Sequence, residues 1–161
     1  DKCEVPTKGW DVIFETNEGN KIYVEMKNKH NTMNSSSSQK TYIQMQNMII
    51  NNPNDTCYLV EAIAPCSRNI PWVCSVNGKQ CKSGNIRRVS MDKFYAIVTG
   101  EKDAFYKLCI QLPKTIDEVV KQNKNLTVEK DTVLEELKTI DSNIQLALYK
   151  IAFNTYEGFN F

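Results

Sequence analysis

The chain has 161 residues, 41% of them hydrophobic and 24% charged, and its 20 Lys and Arg against 19 Asp and Glu leave a net charge of +1. Such a length and balance suit one globular domain with a real core and exclude an intrinsically disordered chain. No apolar run approaches a membrane span and the N-terminal DKCEVPTKGW has no signal-peptide core, so a cytoplasmic location is expected. The near-neutral sum lacks the basic footprint usual for nucleic-acid binding, yet local Lys and Arg patches remain possible within it.

The N-terminal part reads as strands. Residues 11–16 (DVIFET) and 21–27 (KIYVEMK) are rich in β-formers and flank the short turn NEGN, the pattern of a hairpin. Residues 31–38 are polar, and four consecutive serines mark a loop. Ser38 is then expected to cap a helix over residues 39–51, where Tyr42, Met45 and Ile49 recur at helical spacing and Pro53 follows. Residues 57–64 (CYLVEAIA) suit the middle of a sheet. Residues 65–85 read as irregular, with a small hairpin at Asn77-Gly78, and residues 86–90 as a short strand. Phe94, Tyr95, Ile97 and Val98 suit strand or helix, with helix preferred.

From Glu101 onward helices dominate. Ala104, Phe105, Leu108, Cys109 and Leu112 form one apolar face that Pro113 is expected to end. Ile116, Val119 and Val120 suggest a second short helix, and Val133, Leu134, Leu137 and Ile140 a third. A fourth, capped by Asp141 or Ser142, carries Ile144, Leu146, Leu148, Ile151 and Ala152. Strands first and helices afterwards is an α+β or α/β arrangement, read as one domain over residues 1–161 with a mainly sheet part to residue 100 and a helical remainder.

Six cysteines are spread over the chain, with Cys66, Cys74 and Cys81 inside sixteen residues. No CxxC pair is present and His30, the single histidine, is remote, so reduced thiols are the stronger reading and a zinc-stabilised interaction domain the weaker one.

The residues that carry chemistry sit in the hairpin. Side chains alternate along a strand, so Glu25 and Lys27 share a face while Ile22, Val24 and Met26 form the core-facing stripe. An isolated ExK is most often a plain surface face. Asp11 at the start of the preceding strand changes this, because the hairpin returns it beside Glu25. With the turn centred between Glu18 and Gly19, a symmetrical register sets Asp11 opposite Met26, on the wrong face. A one-residue bulge or an odd loop sets it opposite Glu25 or Lys27, and Gly19 tolerates the positive φ this needs, so an irregular turn or a strand bend is predicted. Two carboxylates that close favour a cation between them; all-oxygen ligation suits Mg²⁺, with Lys27 free to orient water or offset developing charge. Such a set fits phosphodiester hydrolysis without requiring His30 as a base.

Trp10-Asp11, thirteen intervening residues and then Glu25-Met26-Lys27 resembles the PD-(D/E)XK nuclease signature, with Trp10 in place of the usual Pro. Residues 25–36 (EMKNKHNTMNSS) and 94–101 (FYAIVTGE), the latter followed by Ala104-Phe105, are similar to type II restriction endonucleases grouped with those cutting GGNCC. That resemblance implies a mixed central sheet flanked by helices, Mg²⁺ held by Asp11 and Glu25, Lys27 as catalytic lysine, and a homodimer acting on a palindromic site in double-stranded DNA. It also implies a helix before the first strand. Only ten residues precede Asp11, so a further N-terminal segment of the same enzyme is expected.

Beside such a site, the polar run Asn28, Lys29, His30, Asn31, Asn34, Ser35, Ser36, Ser37, Ser38 and Gln39 is expected to contact DNA. Asn and Gln read adenine, Lys reads guanine, and Ser takes phosphate. Lys79, Lys82, Arg87 and Arg88 form a second candidate patch, with Arg87 and Arg88 suited to guanine or phosphate. A repair or recombination nuclease on the same scaffold, and a DNA-binding module with a vestigial site, are the competing readings. The intact Asp11, Glu25 and Lys27 disfavour the second.

Overall fold

In chain order the elements are β1 (Lys2–Glu4), β2 (Val12–Glu15), β3 (Lys21–Lys29), α1 (Ser35–Asn51), β4 (Thr56–Ile63), β5 (Asn69–Val76), β6 (Lys79–Ser90), α2 (Met91–Thr99), α3 (Ala104–Gln122), α4 (Thr132–Ile140) and α5 (Ile144–Phe153). They come from a computed structural model that describes residues 2–122 and 132–159. The strands form one six-stranded mixed sheet in the order β1-β2-β3-β4-β6-β5. β3, β4 and β6 run parallel, whereas β1, β2 and β5 add antiparallel strands at the edges. A parallel β3–β4 pair cannot be joined by a tight turn, and α1 supplies the crossover. The expected α+β class with a mixed sheet and flanking helices is what the chain adopts.

The hairpin carries the predicted irregularity. Gly19 donates to the Thr16 carbonyl at 2.9 Å, Thr16 to the Asn20 carbonyl at 2.8 Å, and Gly19 has φ +80. This is a three-residue loop closing on a left-handed glycine, so the register is centred on Glu18 itself. The pairs Val12↔Val24, Ile13↔Tyr23, Phe14↔Ile22 and Glu15↔Lys21 follow.

Four local expectations are corrected. The serine run is helix, not loop: α1 begins at Ser35, and Asn34 rather than Ser38 caps it, accepting from the Ser37 amide at 2.8 Å. Asn is among the strongest caps and its side chain reaches the third amide, which leaves the serines to fill the first turn. Residues 65–68 are irregular as expected, but residues 69–85 form most of the β5–β6 hairpin, which closes at Asn77 (φ 50) and Gly78 (φ 78), where a small hairpin was expected. Pro71 disguised it; the proline lies on an edge strand beside a register shift, where a missing amide is tolerated. Pro113 does not end its helix, for α3 continues to Gln122 with the proline ring buried inside it. Finally, Asn143 rather than Asp141 or Ser142 caps α5, accepting from the Leu146 amide at 3.0 Å.

By compactness the chain divides into Asp1–Phe94 and Tyr95–Phe161. In the first unit buried residues stand on both faces of the sheet. Trp10, Tyr23, Cys57, Leu59, Trp72, Cys74 and Ile86 form one buried layer with Tyr42 and Met45 of α1. Val24, Tyr58, Val60 and Val89 are buried on the other face. The Val24 stripe is therefore only one of two core-facing stripes, and Glu25 and Lys27 terminate a buried row that starts at Tyr23. In the second unit α3 and α5 pack around Phe105, whose ring lies 5.0 Å from Phe153 and 5.7 Å from Phe159. The predicted helix over residues 133–140 is present, although the Leu134 side chain lies outside the described residues. No helix among the described residues is long and apolar enough to cross a membrane.

Candidate active site

Asp11 marks the point where β2 begins. Its amide donates to the Val24 carbonyl at 3.0 Å, just past the last register pair, Val12↔Val24. The chain then turns away at Gly9 and Trp10, so Met26 has no backbone acceptor on that side. An Asp11 carboxylate oxygen takes its amide instead, at 2.7 Å. Trp10 anchors this departure by stacking on Tyr23 at 5.4 Å, and Gln44 of α1 donates to the Gly9 carbonyl at 3.2 Å. A large buried aromatic thus holds the place of the usual Pro.

Lys27 reaches back along β3 to the Glu25 carboxylate at 2.6 Å. The Lys27 and Glu25 side chains are 29% and 21% exposed, enough for a phosphate or a cation to enter. Deeper on the same row, burial and the nearby Asp55 carboxylate push the Tyr23 hydroxyl above its ordinary pKa. Burial also pushes the Cys57 thiol up to about 12.

The parallel register extends the site across the sheet. Glu25 pairs with Leu59 and Leu59 with Arg88; Lys27 pairs with Glu61 and Glu61 with Ser90. Glu61 is 1% exposed and ion-paired to both Arg68 and Arg88. Ser90 accepts from the Arg68 amide at 2.8 Å, and Asp92 accepts from the hydroxyls of Ser67 and Ser90. Sequence reasoning did not single out Glu61, Arg68, Ser90 or Asp92. A signal existed: Glu61 is the lone carboxylate in an apolar central strand, and burial there demands a cation from elsewhere.

The polar run divides. Asn28 and Lys29 end β3 and are exposed, while His30 and Asn31 form the exposed turn toward α1. Asn34 to Ser38 form the cap and first turn of α1, and Gln39 accepts from the Asn77 amide at 3.4 Å. Arg87 bonds the Asn69 side chain at 2.5 Å and carbonyl at 2.7 Å, and Arg88 bonds Glu61 and the His30 carbonyl. Both arginines thus spend donors on the protein itself. Lys79 and Lys82 sit at the opposite end of β6 from Arg88 and do not join the site.

Asp11 and Glu25 offer only oxygen donors, a set that fits Mg²⁺, which commonly takes one or two carboxylates and keeps waters. Among the described residues no group of three or more His, Cys, Asp or Glu is clustered for a metal. Cys74 and Cys81 face each other across the β5–β6 hairpin, whereas Cys66 is exposed.

Comparison with known proteins gives a consistent picture. The model of the Eco47II restriction endonuclease family matches residues 1–121. The chain is also 30% identical over 120 residues to the type II restriction enzyme Sau96I of Staphylococcus aureus, an overlap covering 65% of this chain and 43% of that protein. The chain therefore spans less than half the length of the curated relative it matches. No solved structure matches it.

Proposed function

The chain belongs to the Eco47II restriction endonuclease family, and from that premise we propose that it carries the catalytic centre of a type II restriction endonuclease acting on double-stranded DNA. The observation that supports this reading is the Asp11 carboxylate accepting from the Met26 amide at 2.7 Å, between Glu25 and Lys27 on β3. Asp11 and Glu25 hold Mg²⁺ in this reading. Such an ion, held there, would supply Lewis-acid polarisation of the phosphoryl oxygen and activation of water.

The chain's own residues do the rest. Asp11 is oriented by the Met26 amide, so one of its oxygens is fixed toward β3 and the other is left for a ligand. Glu25 presents its carboxylate beside the Lys27 ammonium, which can orient an attacking water and offset charge that develops on the phosphate. Attack forms a new P–O bond, and the deoxyribose oxygen leaves as the P–O bond opposite it breaks. DNA is held by Asn28, Lys29, His30, Asn31 and Asn34, with Ser35 to Ser38 and Gln39 on the first turn of α1. That helix start follows β3 in the chain, and its dipole favours an anion. The similarity of residues 25–36 to enzymes cutting GGNCC points to a short palindromic site of that kind and to a homodimer reading it.

Incubation of the protein with unmethylated phage DNA and Mg²⁺ tests the reading. Discrete, reproducible bands are expected and should vanish with EDTA. A smear, or no cleavage by the intact full-length protein, would remove it.

A further inference from the structure

Among the ionisable clusters outside the catalytic triplet, the sealed group around Glu61 has the most defined geometry. Glu61 is the register partner of Lys27, and its carboxylate is 1% exposed. It is clasped by Arg68 from the segment between β4 and β5 and by Arg88 from β6. Arg88 does more than neutralise it. The same Nη2 that meets Glu61 also donates to the His30 carbonyl at 3.0 Å. β4 lies between β6 and β3, so this side chain reaches across a whole strand to the backbone just past Lys27. The His30 amide in turn donates to the Ile63 carbonyl of β4 at 3.2 Å. Where β3 ends and the polar run begins, the backbone is thus tied on its amide side to β4 and on its carbonyl side to β6.

Three features separate this from a DNA-reading arginine. The Nε atoms of Arg68 and Arg88 are buried without a hydrogen-bond partner, so these guanidiniums are packed in place and not turned outward. The Arg88 charge is matched by a carboxylate that is itself only 1% exposed. Both bonds leave from one Nη2 of a guanidinium packed in place, a direction that an ammonium on a flexible stem does not hold.

We propose that Arg88, locked on Glu61, is a positioning residue that holds the C-terminal end of β3, and through it Lys27, in the geometry hydrolysis needs. Its catalytic consequence rests on the nuclease reading; its structural consequence does not. The test uses the intact protein as Arg88→Met, Arg88→Lys and the double variant Arg88→Met/Glu61→Gln, which avoids stranding a buried carboxylate should Arg88→Met fail to fold. Amide hydrogen exchange of residues 26–33 without DNA is measured beside kcat, KM and DNA affinity without Mg²⁺. Exchange in that segment should rise by about tenfold or more in the folded variants while β5 is unchanged. kcat should fall by about tenfold or more, with KM and affinity within about threefold of the parent, and Arg88→Lys should not restore it. Unchanged exchange in a folded variant overturns the proposal, and so does a normal kcat with lost affinity, which would make Arg88 a DNA contact. A parent protein that does not cleave would sink the nuclease reading alone, and exchange would still decide this one.

Discussion

Two acid–base clusters lie on one face of the sheet, one strand apart, and they are built for opposite ends. Glu25 and Lys27 are 21% and 29% exposed, a pair that can part when a phosphate and a cation arrive. Glu61 is 1% exposed and held by two arginines whose own partners are protein groups. In water an exposed pair contributes little to stability, whereas stripping one partner from a buried pair strands a charge. The carboxylate is a glutamate in both; depth in the sheet separates the two. β3 is bordered at Glu25 by the beginning of β2, where the chain turns away, while β4 is bordered on both sides by full-length strands.

The contrast can be broken most decisively at the open cluster. Glu25→Gln and Lys27→Ala should each cut DNA cleavage by roughly 10²–10⁴-fold while leaving DNA affinity and melting temperature close to the parent. If binding and fold are lost together, both residues are structural and the two clusters are alike.

The sealed cluster should respond through stability. Glu61→Gln leaves Arg68 and Arg88 without their carboxylate and should destabilise by about 3–5 kcal/mol in urea unfolding. A variant as stable as the parent would mean that Glu61 is solvated after all.

Alkaline titration probes depth from another direction. Burial raises the thiols of Cys57 and Cys109 to about 12, one in each compact unit. The unfolded thiols ionise near 9 and the folded ones do not. Their contribution is thus complete below that pH and declines from about pH 9 to 12, on the order of 1 kcal/mol per pH unit for each thiol. A urea midpoint unchanged between pH 9 and 11 would contradict this. Cys3 and Cys66, both exposed, should label with a thiol reagent well before either buried thiol.

The smallest effect falls on the helix start beside the open cluster. Asn34→Ala should cost about 1 kcal/mol through loss of the cap, and Asn34→Asp should restore it. If Asn34 also meets DNA, the aspartate will recover stability yet weaken binding to phosphate. Recovery of both would make the residue a cap alone.

Much of the site was legible beforehand because it is local. Asp11, Glu25 and Lys27 lie within seventeen residues, and strand alternation plus one glycine turn decide which face each occupies. An irregular turn at Gly19 was expected, and the loop there closes with φ +80. The β5–β6 hairpin was less legible. Pro71 and a polar composition argue against a strand, and only pairing along the edge of a formed sheet outweighs them. Pro113 misled for a similar reason, because burial of its ring offsets a local penalty that periodicity alone cannot weigh.

By itself the sequence determined the α+β class, the β2–β3 hairpin and the oxygen-only chemistry of its carboxylates, since each rests on periodicity or on residue type at short range. Only the tertiary structure decided that Arg88 belongs with Glu61. The two are twenty-seven residues apart in the chain and adjacent only because β6 lies parallel beside β4. A charge in an apolar strand announces that it needs a partner, but strand order, not composition, chooses which one.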